Sequence, residues 1–163
     1  MSERPDETAR RALSIAAALA AAGPGEKADA RRMGDDGAPV FWRQASRLGI
    51  SRPQEQDWLR FTRLIALLTP ASATASIHDQ ARSLGAVLAD AGFSEIRLAR
   101  LLATRGDPRA EALERAIRTI APKRPHFSVV GLARIVLGRG GNDLARDYYN
   151  RLDHTRTPET ADE

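Results

Sequence analysis

Residues 113–120 read Leu113-Glu114-Arg115-Ala116-Ile117-Arg118-Thr119-Ile120, and their apolar members Leu113, Ala116, Ile117 and Ile120 recur at i, i+3, i+4 and i+7. That spacing lays one apolar stripe along a helix and excludes a strand, whose faces alternate at every residue. Outward from it, Leu84, Val87, Leu88 and Ala91 repeat the pattern, and Leu98, Leu101, Leu102 and Arg105 repeat it with a polar last place. Start signals agree with the periods. Ser76-Ile77-His78-Asp79 has capping-box spacing, Ser94 precedes a helix, and Asp107-Pro108 sets a cap before a first-turn proline. Asn142 is placed to cap a last helix that carries Leu144, Tyr148 and Leu152 on one stripe. No stretch alternates as a strand would. The expected fold class is all-α, with helices near 7–22, 26–33, 39–48, 54–68, 77–91, 95–104, 108–121, 128–137 and 142–152.

A chain of 163 residues fits one domain or two small helical halves sharing a core. The Pro-, Ala- and Ser/Thr-rich run 70–76 is the expected hinge between an N-terminal half, 1–69, and a basic C-terminal half, 77–152. Residues 153–163 are expected to form a disordered acidic tail. Arg10-Arg11 followed by Ala12 to Ala22 imitates a signal peptide, but Glu3, Asp6 and Glu7 cancel the basic start. Alanine rather than leucine in the apolar stretch favours a helix. No apolar run approaches the roughly 18 residues of a membrane span, and a cytoplasmic protein with no membrane contact is expected. The absence of cysteine excludes disulfides, thiolate metal sites and cysteine nucleophiles.

Charge is segregated along the chain. Between Arg97 and Arg139 stand nine arginines and one lysine against Asp107, Glu111 and Glu114, a local +7 where the whole chain carries +4. Arginine outnumbers lysine 23 to 2, and a guanidinium fork matches phosphate geometry better than an ammonium does. A concentrated cationic surface points to a polyanion partner. The competing reading is a set of solvated helix faces. Glu111 with Arg115 and Glu114 with Arg118 have i,i+4 spacing, and such pairs are worth about 0.3–0.5 kcal/mol each.

Several arginines stand out. Arg97 and Arg100 lie one turn apart, away from the Leu98/Leu101/Leu102 stripe. Arg134 sits in a helix apolar nearly all round, so it needs either a ligand or partner anion or an internal carboxylate. Arg43 shares a face with Arg47, and Arg31-Arg32 ends a short helix. Gly138-Arg139-Gly140-Gly141 precedes a helix start but is neither a P-loop nor a dinucleotide fingerprint. His78, His126 and His154 have no companions at ligand spacing, so neither a metal, a cofactor nor a catalytic triad is expected. Few aromatics are available for base stacking, which favours backbone binding through arginine over base readout.

The ordered series Ala30-Arg31-Arg32, Pro39-Val40-Phe41-Trp42-Arg43, Leu84-Gly85, Ala89-Asp90-Ala91-Gly92, Ser94-Glu95-Ile96-Arg97, Leu132-Ala133-Arg134 and Leu144-Ala145-Arg146-Asp147-Tyr148-Tyr149 resembles the CasB family. That family is the small subunit of the type I-E CRISPR surveillance complex, Cascade, and the likeness runs over about residues 10–152. It implies a two-lobed helical bundle of eight or nine helices without catalytic activity. It also implies a dimer that joins other Cascade subunits and holds the crRNA/target duplex and the displaced single-stranded DNA of the R-loop. Carried over by position, the nucleic-acid contacts are Arg31, Arg32, Arg43, Arg97, Arg115, Arg134 and Arg139, with Arg100 added by its place beside Arg97. The chain departs from the family at Gly138-Arg139-Gly140, where tryptophan and lysine are common. Two rival expectations stand beside it. One is a helix-turn-helix DNA-binding regulator built on 95–104 and 108–121, joined by Arg105-Gly106-Asp107. The other is a helical adaptor whose arginines meet acidic proteins.

Overall fold

The computed structural model describes residues 4–156. Nine α-helices follow one another among the described residues: α1 (Pro5–Ala21), α2 (Pro24–Arg32), α3 (Pro39–Leu48), α4 (Arg52–Leu68), α5 (Leu84–Asp90), α6 (Glu95–Ala103), α7 (Gly106–Ile120), α8 (Val129–Val136) and α9 (Gly141–Arg156). A single 3-10 turn, Ala121–Lys123, extends α7. The fold is all-α. Proline opens each of the first four helices at its first or second position, where the missing N–H costs nothing and the fixed φ is already helical. Ser51 and Gln54 close a reciprocal capping box on α4.

The apolar stripes meet in one continuous core that runs from Ala12 on α1 to Tyr148 on α9. Helix α4 carries two of its large aromatic members, Trp58 and Phe61, packed edge to face with ring centres 5.3 Å apart. Helix α8 lies against α1 and α4, so the halves 1–69 and 77–152 bury their apolar faces against each other. The alanine-rich stretch of α1 contributes Ala12, Ile15, Ala16, Leu19 and Ala20 to this core. Segment 70–76, expected as a hinge, is tethered to α2: buried Lys27 donates through Nζ to the carbonyls of Ala71 (3.3 Å) and Ala73 (2.8 Å).

Three boundaries differ from expectation. The helix expected over 77–91 is confined to Leu84–Asp90, capped by Ser83, whose Oγ accepts from the Ala86 amide at 3.1 Å. Residues 77–79 run instead beside Phe127: the Phe127 amide donates to Ile77 O (3.1 Å) and the Asp79 amide to Phe127 O (3.0 Å). Ile77 and Phe127 are both buried, and that long-range pairing outweighs the local capping signal at Ser76. The last helix begins at Gly141, so Asn142 falls inside its first turn, and it continues through Arg156. The acidic tail expected from 153 is therefore helical as far as 156, and its remainder, 157–163, lies outside the described residues.

Candidate nucleic-acid interface

Helices α6 and α7 pack side by side, joined at Thr104-Arg105, and leave a groove of about 410 Å³ between them. Ser94 caps α6 by accepting from the Arg97 amide at 3.2 Å, which sets the turn from which Arg97 projects. Leu98 and Leu101 face inward on α6, and Leu113, Ala116 and Ile117 face inward on α7. Arg97, Arg100 and Arg115 are left exposed on the outer side, and all three line the groove. Phe93, Leu101, Ala112 and Ala116 supply its apolar walls.

None of these three guanidinium groups has an ion pair or hydrogen-bond partner among the described residues. The expected Glu111–Arg115 pair does not form; both side chains are exposed and Glu111 stays apart. Glu114 does pair with Arg118 (3.3 Å), and it also takes Arg63 of α4 at 2.8 Å. Three like charges on one groove repel each other when empty, so the arrangement favours an occupant carrying repeated negative charge.

The other five expected contacts are engaged elsewhere. Arg31 caps the end of α4, donating through Nε to Ala66 O (3.3 Å) and through Nη2 to Thr69 O (3.4 Å). It is a structural cap, because the last carbonyls of a helix lack intrahelical donors. Arg32 pairs with Asp29 at 3.2 Å and Arg43 with Glu26 at 3.3 Å. Arg134, on the apolar helix α8, is half exposed at 51% and stands 3.7 Å from Asp143 of α9. Arg139 lies partly buried in the α8–α9 connection, where its amide donates to Arg134 O at 2.7 Å. Of the eight expected contacts, Arg97, Arg100 and Arg115 thus stand together on α6 and α7. Exposed ion pairs are worth only about 0–1 kcal/mol, so Arg32, Arg43 and Arg134 can exchange a carboxylate for a phosphate.

Arg105, part of the expected helix-turn-helix connection, caps α6 by donating through Nη1 to the carbonyls of Leu102 (2.7 Å) and Thr104 (2.8 Å). The first turn of α7 is tied to α4 by the Arg60–Asp107 ion pair. His78 is committed to structure: its Nδ1 accepts from the Val129 amide at 3.1 Å, at the start of α8. Among the described residues no three His, Asp or Glu side chains gather as metal ligands, and no helix is long and apolar enough to cross a membrane. Sequence reasoning passed over Lys27 and the arginines Arg60, Arg63 and Arg109, which line or tie a second cleft on the far side of α7. The signal for Arg60 and Arg63 was their one-turn spacing on α4, facing the acidic positions of α7.

No family model matches this chain, and no curated protein matches it.

Proposed function

We propose that this protein binds nucleic-acid backbone without catalysing a reaction, and that Arg97, Arg100 and Arg115 form its primary contact. The observation that carries the reading is a groove with three guanidinium groups on two adjacent helices, none partnered among the described residues. Guanidinium donors without base-edge partners read charge and spacing rather than sequence, so specificity would be left to another component. The ordered motifs that resemble the CasB small subunit support a place in a type I-E Cascade complex. There the groove would hold the displaced single strand of the R-loop, or the crRNA/target duplex, beside other Cascade subunits in the cytoplasm, with a second copy of this chain. R-loop formation is a near-balanced exchange of duplexes, so modest backbone contacts tip it.

The test is a titration of fluorescent single-stranded DNA of several sequences across a salt series. The expected result is affinity independent of sequence, with log Kd rising steeply with log salt at about 0.7 per phosphate neutralised. The triple variant R97A/R100A/R115A should weaken every sequence alike and reduce that slope by about two to three contacts. A single duplex sequence bound far more tightly than the rest would overturn the reading. Co-purification with a crRNA-containing particle tests the Cascade assignment separately.

A further inference from the structure

Behind the basic groove, on the opposite side of α7, a second cleft of about 520 Å³ opens between α4, α7 and the end of α8. Its charged residues do not form one group. Arg60 is paired with Asp107 and Arg63 with Glu114, so two cations and two carboxylates cancel across the α4–α7 seam. Arg109 is the exception. Its Nε and Nη2 are shut off from solvent and have no hydrogen-bond partner, and no carboxylate pairs with it, among the described residues. The guanidinium is wedged against the start of α9: a Cβ on Gly141 would stand 3.4 Å from Nη2. The positive end of that helix dipole and the neighbouring Arg105 add to the local field.

A guanidinium enclosed on two of its nitrogens is costly, since burial removes part of its water without supplying a counter-charge. Burial first, and Arg105 second, loosen its hold on the proton, yet a guanidinium keeps its charge at any ordinary pH. The only nitrogen of Arg109 not so enclosed, Nη1, belongs to a side chain that lines the cleft. The same cleft has apolar walls in Leu59, Leu64, Leu113 and Ile135. Its volume is within the range of small-molecule sites. Of the unpaired carboxylates on its wall, Asp35 and Glu111 are exposed, where water screens them. Asp57 is partly buried, and burial pushes its carboxyl above the ordinary value against the pull of Arg60.

We propose that this cleft binds a small organic anion, a phosphate head on an apolar or heteroaromatic body, with Arg109 as the partner of the head. The assignment stands apart from the α6–α7 groove, which uses other residues on another face of α7.

The experiment is thermal unfolding and titration calorimetry of the full chain in chloride buffer, with inorganic phosphate and adenosine monophosphate as probes. For the wild type, adenosine monophosphate at about a hundred times its Kd should raise Tm by roughly 5 °C or more. It should bind at least tenfold more tightly than inorganic phosphate, because the apolar walls hold the body. R109M should lose the rise and, without ligand, melt no lower than wild type, since it removes an uncompensated charge. R97A/R100A/R115A should keep the rise intact, which separates failure here from failure of the nucleic-acid reading. Should R109M not fold, R109Q keeps a polar side chain without the charge and should weaken binding at least tenfold. No binding of either probe to wild type, or equal binding by wild type and the Arg109 variants, would overturn the proposal.

Discussion

Gly85 lies against the backbone of Tyr148: a Cβ added at Gly85 would stand 2.6 Å from the Tyr148 amide nitrogen and 2.7 Å from the Leu144 carbonyl oxygen. This contact is why the short α5 can hold α9 so closely. Backbone cannot swing aside as a side chain can, so G85A must push the two helices apart. The expected cost is about 3 kcal/mol, at the upper end of overpacking, with Tm lower by roughly 10 °C. Gly131, inside α8, is the control. Its added Cβ would meet nothing closer than Ser128 Oγ at 3.6 Å, so G131A should be neutral or stabilise by up to about 1 kcal/mol. Calorimetric unfolding of both variants checks the pair.

Tyr148 is also bonded to a residue of the groove. Its hydroxyl donates to the Phe93 carbonyl in a buried bond, and Phe93 lines the α6–α7 groove. Y148F keeps the ring and strands that carbonyl. It should cost about 1–2 kcal/mol in urea unfolding while leaving the salt slope of DNA binding unchanged. A changed slope would place Tyr148 among the DNA contacts.

Arg31 and Arg97 separate stability from binding. Arg31 spends its donors on the last carbonyls of α4, so R31A should lower stability by about 1 kcal/mol and leave the salt slope intact. Arg97 has no partner among the described residues to lose, so R97A should leave stability within about 0.5 kcal/mol and reduce the slope by one contact. Parallel urea and DNA titrations on the two variants decide the matter. The reverse assignment of effects would mean that the groove is structural.

Two carboxylates give opposite pH dependence. Arg151 Nε at 2.7 Å and Arg82 Nη2 at 2.8 Å hold the Asp90 carboxyl below its ordinary value, the Arg151 bond being the larger cause. Its contribution is present above the unfolded-state value near 4 and is lost as pH falls through the lower folded one. D90N should therefore lose stability at pH 7 and show little further loss attributable to this site in acid. Asp57 runs the other way. Burial raises its folded value, so the folded state holds that proton more tightly and stability declines as pH rises past 4. D57N should be more stable than wild type at pH 7, and the gain should vanish at pH 3. Urea midpoints measured from pH 3 to 7 test both signs.

How far the sequence reaches is clear from particular elements. The stripe Leu113, Ala116, Ile117 and Ile120 is inward-facing throughout, because helical period and burial are the same property seen locally and globally. Ser94 caps α6 as read, since a cap depends on neighbours within one turn. The spacing of Arg97 and Arg100 likewise placed them together on the exposed face. The same local reasoning failed at 77–83, where a partner some fifty residues away, Phe127, pulled the chain out of helix. No local pattern carries that information.

The sequence by itself determined an all-helical chain, the inward faces of its helices and the cationic excess of its C-terminal half. These follow from period, propensity and charge, which act over a few residues. Tertiary structure alone decided how the arginines are engaged among the described residues: it handed Arg31 to the end of α4, Arg43 to Glu26 and Arg134 to Asp143, and gave Arg97, Arg100 and Arg115 no partner there. It also enclosed Nε and Nη2 of Arg109 with no partner among those residues. Charge is written in the sequence, but its neutralisation depends on which helices become neighbours.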